Sequence, residues 1–82
     1  MNTQTMSKED RQVRMYGVTV EYMRAQFTEG MRLGGPKMLV MSMLSDAQEQ
    51  IALGQEEVAR QTINRAKWAL MEFLEEPVLK TA

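Results

Sequence analysis

Val13, Tyr16, Val20, Met23, Phe27 and Gly30 are separated by 3, 4, 3, 4 and 3 residues. Nothing else in the chain limits its fold as strongly. This spacing returns to one side of an α-helix for two heptads and makes a seam that packs helix against helix. A shorter pattern competes with it. Tyr16, Val18, Val20 and Tyr22 alternate, and Val18-Thr19-Val20 groups β-branched residues as a strand would. The helix is the better reading, because the 3–4 spacing covers the whole segment whereas the alternation starts beside Gly17. No second strand is available to pair with it, and a lone strand leaves its backbone groups unbonded. One helix is expected from Lys8 to Arg32, with Gly17 as its weak point. Ser7 is placed to cap its first amides, and Glu9 and Asp10 suit the positive end of its dipole.

Gly34-Gly35-Pro36 is the clearest break in the chain. Gly34 suits the left-handed residue that follows a helix, and Pro36 suits the first position of the next. A second helix is expected from Pro36 to about Leu53. Its first half, Met38 to Leu44, is apolar almost all round, so it needs cover on more than one side. Gly54 closes it, and Gln55-Glu56-Glu57 opens a third helix with acids that match the dipole. That helix carries Val58, Ala59, Thr62, Ile63, Ala66, Leu70, Phe73 and Leu74 as one stripe, and it is expected to end near Glu76, before Pro77. A one-glycine turn between helices makes an antiparallel hairpin. The spacing of Ala47, Gly54, Ala59, Ile63 and Ala66 resembles one helix-turn-helix unit of a tetratricopeptide repeat. The resemblance covers this hairpin alone, lacks the family's aromatics on the first helix, and implies close helix approach with no function attached.

The expected fold class is therefore all-α: a long N-terminal helix followed by an antiparallel helical hairpin. Eighty-two residues make a single helical domain, with flexible ends expected over 1–7 and 77–82. A domain of this size hides only about 60% of its unfolded surface, so its core is marginal without a staple. There is no cysteine for a disulfide and no histidine for a transition metal. Yet 44% of the residues are hydrophobic, and the first helix has a second apolar strip of Met15, Val18 and Tyr22 beside its main seam. A hairpin cannot easily cover both strips. A homodimer that completes the bundle is expected, its contact supplied by the first helix (Tyr16, Val20, Met23, Phe27) and the start of the second.

Trp68 is the strongest single candidate for partner contact. With Ile63, Ala66 and Leu70 centred on the buried stripe, 100° per residue places Trp68 nearly opposite, among Gln61, Asn64, Arg65 and Glu72. A lone tryptophan on a polar face, with Arg65 and Met71 beside it, has the composition of a binding hot spot. The alternative is that the first helix lies over it. Nine methionines in 82 residues add side chains that adapt to varied surfaces or fill a loosely specified core.

These features predict a non-catalytic protein-binding module, a small accessory, adaptor or inhibitor protein that self-associates and acts by occupying another protein. The alternative is a small nucleic-acid-binding regulator using Arg60, Asn64, Arg65 and Lys67 of the third helix. Against it, the net charge is −1, and Glu56, Glu57, Glu72, Glu75 and Glu76 share that helix and oppose a phosphate backbone. Enzymatic activity is not expected, because without histidine or cysteine Ser42 and Ser45 have no general base of suitable pKa. No cofactor or metal is expected either. The N-terminus lacks an apolar leader and the longest apolar runs have four residues, so a cytoplasmic protein with no membrane segment is expected.

Overall fold

A computed structural model of the chain describes residues 7–73. The described residues form three helices and no strand: α1 (Lys8–Tyr16), α2 (Val20–Ala52) and α3 (Glu56–Phe73). The expected end of the last helix near Glu76, the stop at Pro77 and the loose ends over 1–6 and 77–82 lie outside the described residues.

The helix expected over Lys8 to Arg32 is broken. Gly17 ends α1 in the left-handed conformation at φ 82°, its amide donating to the Val13 carbonyl at 2.7 Å. Glycine reaches this conformation without the Cβ clash that other residues meet. Thr19 then starts α2, its Oγ1 accepting the Tyr22 amide at 3.2 Å. The break is reinforced from α1, where Gln12 Oε1 accepts the Val20 amide at 3.0 Å. Val18-Thr19, read as a strand fragment or as mid-helix, is in fact the extended elbow between two helices. Ser7 caps α1 as expected, its Oγ accepting the Asp10 amide at 3.0 Å.

α2 is bent rather than continuous. Gly35, at φ 83° and ψ 170°, leaves the helical region and divides α2 into an N-terminal arm (20–34) and a C-terminal arm (36–52). The break falls one residue later than the sequence pattern implied, with Pro36 opening the second arm. Beyond Ala52, a turn through Leu53 and Gly54 is closed by the Gln55 amide donating to the Gln50 carbonyl at 2.8 Å. The C-terminal arm and α3 form the expected antiparallel hairpin.

The hairpin closes along small side chains. Ala47 on α2 and Ala59, Thr62, Ala66 and Ala69 on α3 are buried. Small residues let the helix axes approach, and Thr62, fully enclosed, places its Oγ1 2.8 Å from Gln50 Oε1 and 2.9 Å from the Val58 carbonyl. The N-terminal arm folds back across one side of this hairpin. Met23 (0% exposed) and Phe27 enter a core with Val40, Met43, Ala66 and Ala69, and Tyr16, Val18, Val20, Leu39 and Trp68 pack around it. Burying side chains the size of Met23 and Phe27 contributes on the order of 1.5–3 kcal/mol each.

Candidate protein-binding surfaces

α1 has no buried residue. It is held by polar caps. Three consecutive carbonyls at its C-terminus face α3, where Gln61 Nε2 donates to the Arg14 carbonyl at 3.2 Å, Asn64 Nδ2 to the Met15 carbonyl at 2.8 Å and Arg65 Nη1 to the Tyr16 carbonyl at 2.5 Å. The last carbonyls of a helix have no partner within it, so these donors from a neighbouring helix take the place of a C-cap. Arg65 also donates through Nη2 to Thr62 Oγ1 at 3.1 Å. Its half-buried position pushes the guanidinium pKa down, opposed by the nearby Asp46 carboxylate.

This clamp changes the reading of the basic residues on α3. Of the four side chains expected to read nucleic acid, Asn64 and Arg65 are committed to α1. Arg60 makes a two-pronged ion pair with Glu57 one turn before it. Its hydrogen bonds hold the Glu57 carboxyl below the usual range, with the Arg14 charge adding to the effect. Lys67 alone of the four is exposed with no internal bond described.

Trp68 does not stand on an open polar face. It is half-buried against Phe27, with ring centroids 5.7 Å apart and planes tilted by 48°, and the Arg24 guanidinium carbon lies 5.6 Å from its ring centroid. Arg24 is held in turn by Glu72 at 3.6 Å. The buried line of α3 runs through Ala59, Thr62, Ala66 and Ala69, rotated roughly 50° from the Ile63–Ala66–Leu70 line at 100° per residue. Trp68 still lies roughly 140° round the helix from that line, and it is covered because Phe27 and Arg24 of the N-terminal arm pack on the flank where it lies. Met23 and Phe27, expected at a dimer contact, are inside the single chain, and Tyr16 and Val20 border its core. The bend at Gly35 turns the arm that carries Met23 and Phe27 back onto the hairpin, and the elbow at Gly17 to Thr19 lets α1 turn onto α3.

Met71, in contrast, is 75% exposed. It borders a cleft of about 280 Å³ between α1 and α3, lined also by Met15, Tyr16, Asn64, Lys67 and Trp68. Across Met15 lies a second cleft of about 280 Å³, bordered by Arg11, Arg14 and Arg60.

A larger apolar surface lies on the hairpin. Met41 (56% exposed), Leu44 (42%) and Ile51 (54%) lie on one flank of the C-terminal arm, and Leu70 (41%) with half-buried Ile63 on one flank of α3. In an antiparallel pair, flanks reached by turning the same way from the seam lie on the same side. All five residues therefore share one side of the hairpin. The other side carries Leu39, Asp46 and Arg65 beside Gln26, Phe27 and Glu29 of the N-terminal arm. The arm covers that side and leaves the first open. Sequence reasoning missed this surface, although the i, i+7 pairs Leu44–Ile51 and Ile63–Leu70 are visible once the seam is placed on the alanines.

Among the described residues no three His, Cys, Asp or Glu side chains converge as metal ligands, and no helix is long and apolar enough to cross a membrane. Comparison with protein families, curated proteins and solved structures finds no match for this chain.

Proposed function

We propose that the chain is a non-catalytic protein-binding module that pairs with a second copy of itself through the open side of the hairpin. The observation that supports this most is the apolar flank of Met41, Leu44, Ile51 and Leu70, each more than two-fifths exposed. A face 17 residues of helix long runs about 25 Å, and two helices side by side present roughly 500 Å² per copy. The total from two copies is near 1,000 Å², where specific interfaces begin.

Charge favours a second copy as the occupant. Lys37 and Lys67 edge this side away from the turn, and Glu56 edges it beside the turn. Two hairpins packed head to tail about a two-fold axis set each Glu56 opposite the lysine end of its partner, the self-complementary arrangement of an isologous dimer. The dimer contact expected from the first helix thus moves to the hairpin in this reading. Its working mechanism remains occupancy, with binding to another protein as the output.

The test is a light-scattering mass for wild type and for Leu44→Glu with Ile51→Glu. Both positions are exposed, so the variant keeps its helical circular dichroism. The proposal expects a dimeric wild type and a monomeric variant, and equal masses for the two would contradict it.

A further inference from the structure

We propose that Gly35-Pro36 is a hinge whose opening docks the N-terminal unit, α1 with the arm 20–34, on the hairpin of a second copy, in exchange for that copy's own unit. The unit joins the hairpin at Gly35, where φ is 83° and ψ is 170°. Glycine alone reaches that region readily. The residues on both sides of it are already helical, and a Cβ built at Gly35 meets nothing within 4 Å. Turning the two backbone dihedrals of this one residue into the helical region joins the arms into a single helix. That helix has 33 residues and a length of about 50 Å.

Everything else that holds the unit down is noncovalent and is present on any copy. Met23 and Phe27 enter the core beside Val40, Met43, Ala66 and Ala69. Arg24 pairs with Glu72, and Gln61, Asn64 and Arg65 bond the last carbonyls of α1. Two straightened chains lying antiparallel set each arm beside the other copy's hairpin, with the two Gly35 residues at the two-fold axis. Each contact is regained between chains, so the occupant that fits this groove is a second copy. The arm covers the side of the hairpin away from Met41, Leu44, Ile51 and Leu70. The exchange therefore does not rest on the apolar face.

Gly35 and Pro36 hold the exchange back by different means. Gly35 leaves the closed bend unstrained. Pro36 opposes the straight helix, because it lacks the amide that would reach the Arg32 carbonyl and its ring clashes with that carbonyl. It also disfavours the helical region for the residue before it. A one-residue connection keeps the unit at an effective concentration in the millimolar range beside its own hairpin. The closed chain therefore prevails in dilute solution, and substitution at the hinge releases the exchange.

The experiment uses the full chain with Leu44→Glu and Ile51→Glu, which removes the apolar face, and with Arg24→Cys and Glu72→Cys. The natural chain has no cysteine, so a short bis-maleimide joins this pair, whose native charged atoms lie 3.6 Å apart. Light scattering gives the mass, and a denaturing gel after cross-linking shows whether the joined positions belong to one chain or two. With Gly35-Pro36 intact, a single-chain mass and a cross-link inside one chain are expected. Gly35→Ala with Pro36→Ala is expected to form a dimer cross-linked between chains, at roughly tenfold lower concentration than its parent. Pro36→Ala alone keeps the glycine, so its closed form remains available. It is expected to raise the interchain fraction above the parent's at equal concentration. Hinge variants that stay at the single-chain mass, or that dimerise with the cross-link still inside each chain, would overturn the proposal. Neither result bears on the apolar face, which is tested by the mass of the wild-type chain.

Discussion

Arg65 of α3 donates from Nη1 to the carbonyl of Tyr16, the last residue of α1, across 49 positions of sequence. With Asn64 and Gln61 beside it, this bond holds a nine-residue helix that buries no side chain of its own. An isolated helix of that length is unstable in water. Its existence therefore depends on α3.

That dependence gives the first prediction. Arg65→Met keeps the apolar stem and removes the donors, leaving the Tyr16 carbonyl without the side chain that caps it and taking one of three bonds from the Thr62 hydroxyl. A loss of about 1–3 kcal/mol is expected, read as a lower urea midpoint. Amide exchange should rise over 8–16 before it rises in the hairpin.

Gly17 is linked to the same clamp. A Cβ built there would stand 3.0 Å from Gln61 Oε1 and 3.1 Å from Arg65 Nη1, and φ is +82°. At Gly54, φ is +78° but nothing lies within 4 Å. Gly54→Ala should therefore cost about 1 kcal/mol from backbone strain alone. Gly17→Ala carries a comparable strain and also crowds two donors, so its urea midpoint should fall further. Equal losses at the two glycines would show that the clamp is not tightly packed around Gly17.

Trp68 and Phe27 support the fold from opposite helices. Phe27→Ala is expected to cost about 3–5 kcal/mol, and Trp68→Ala a smaller amount because part of the ring is exposed. A double-mutant cycle by urea denaturation should give a coupling of about 0.5–1.5 kcal/mol for the ring pair. Because Trp68 contributes to stability, Met71 is the cleaner position for probing a partner at the cleft between α1 and α3.

The parts of the fold that depend on glycine and proline were legible in the chain. Gly34-Gly35-Pro36 and Gly54 place the hairpin, and the 3–4 spacing places Met23 and Phe27 on an inward face. Gly17 was read as a weak point in one helix because the seam continues through it. What breaks the helix is chemistry that spacing does not capture, namely the Thr19 cap and the Gln12 side chain bonded to the Val20 amide. The strand-like Val18-Thr19-Val20 was the trace of that elbow. On α3, weight given to the large residues Ile63 and Leu70 turned the inward face away from Ala59, Thr62, Ala66 and Ala69. Two helices in close contact bury small residues at the seam and leave large ones at its flanks. That rotation concealed the open apolar side of the hairpin, whereas Trp68 is covered by Phe27 and Arg24 of the N-terminal arm, a contact that spacing within α3 does not reveal. The Gln61, Asn64 and Arg65 bonds to α1 join residues 47 to 49 positions apart, beyond the reach of local pattern.

The central claim concerns the side of the hairpin bearing Met41, Leu44, Ile51 and Leu70. Sedimentation equilibrium of the wild-type chain over a hundredfold range of concentration tests it most directly. The predicted result is a reversible approach to twice the 9.4 kDa chain mass, lost in Leu44→Glu with Ile51→Glu while helicity is retained. A wild-type chain that stays at the single-chain mass throughout that range would contradict it.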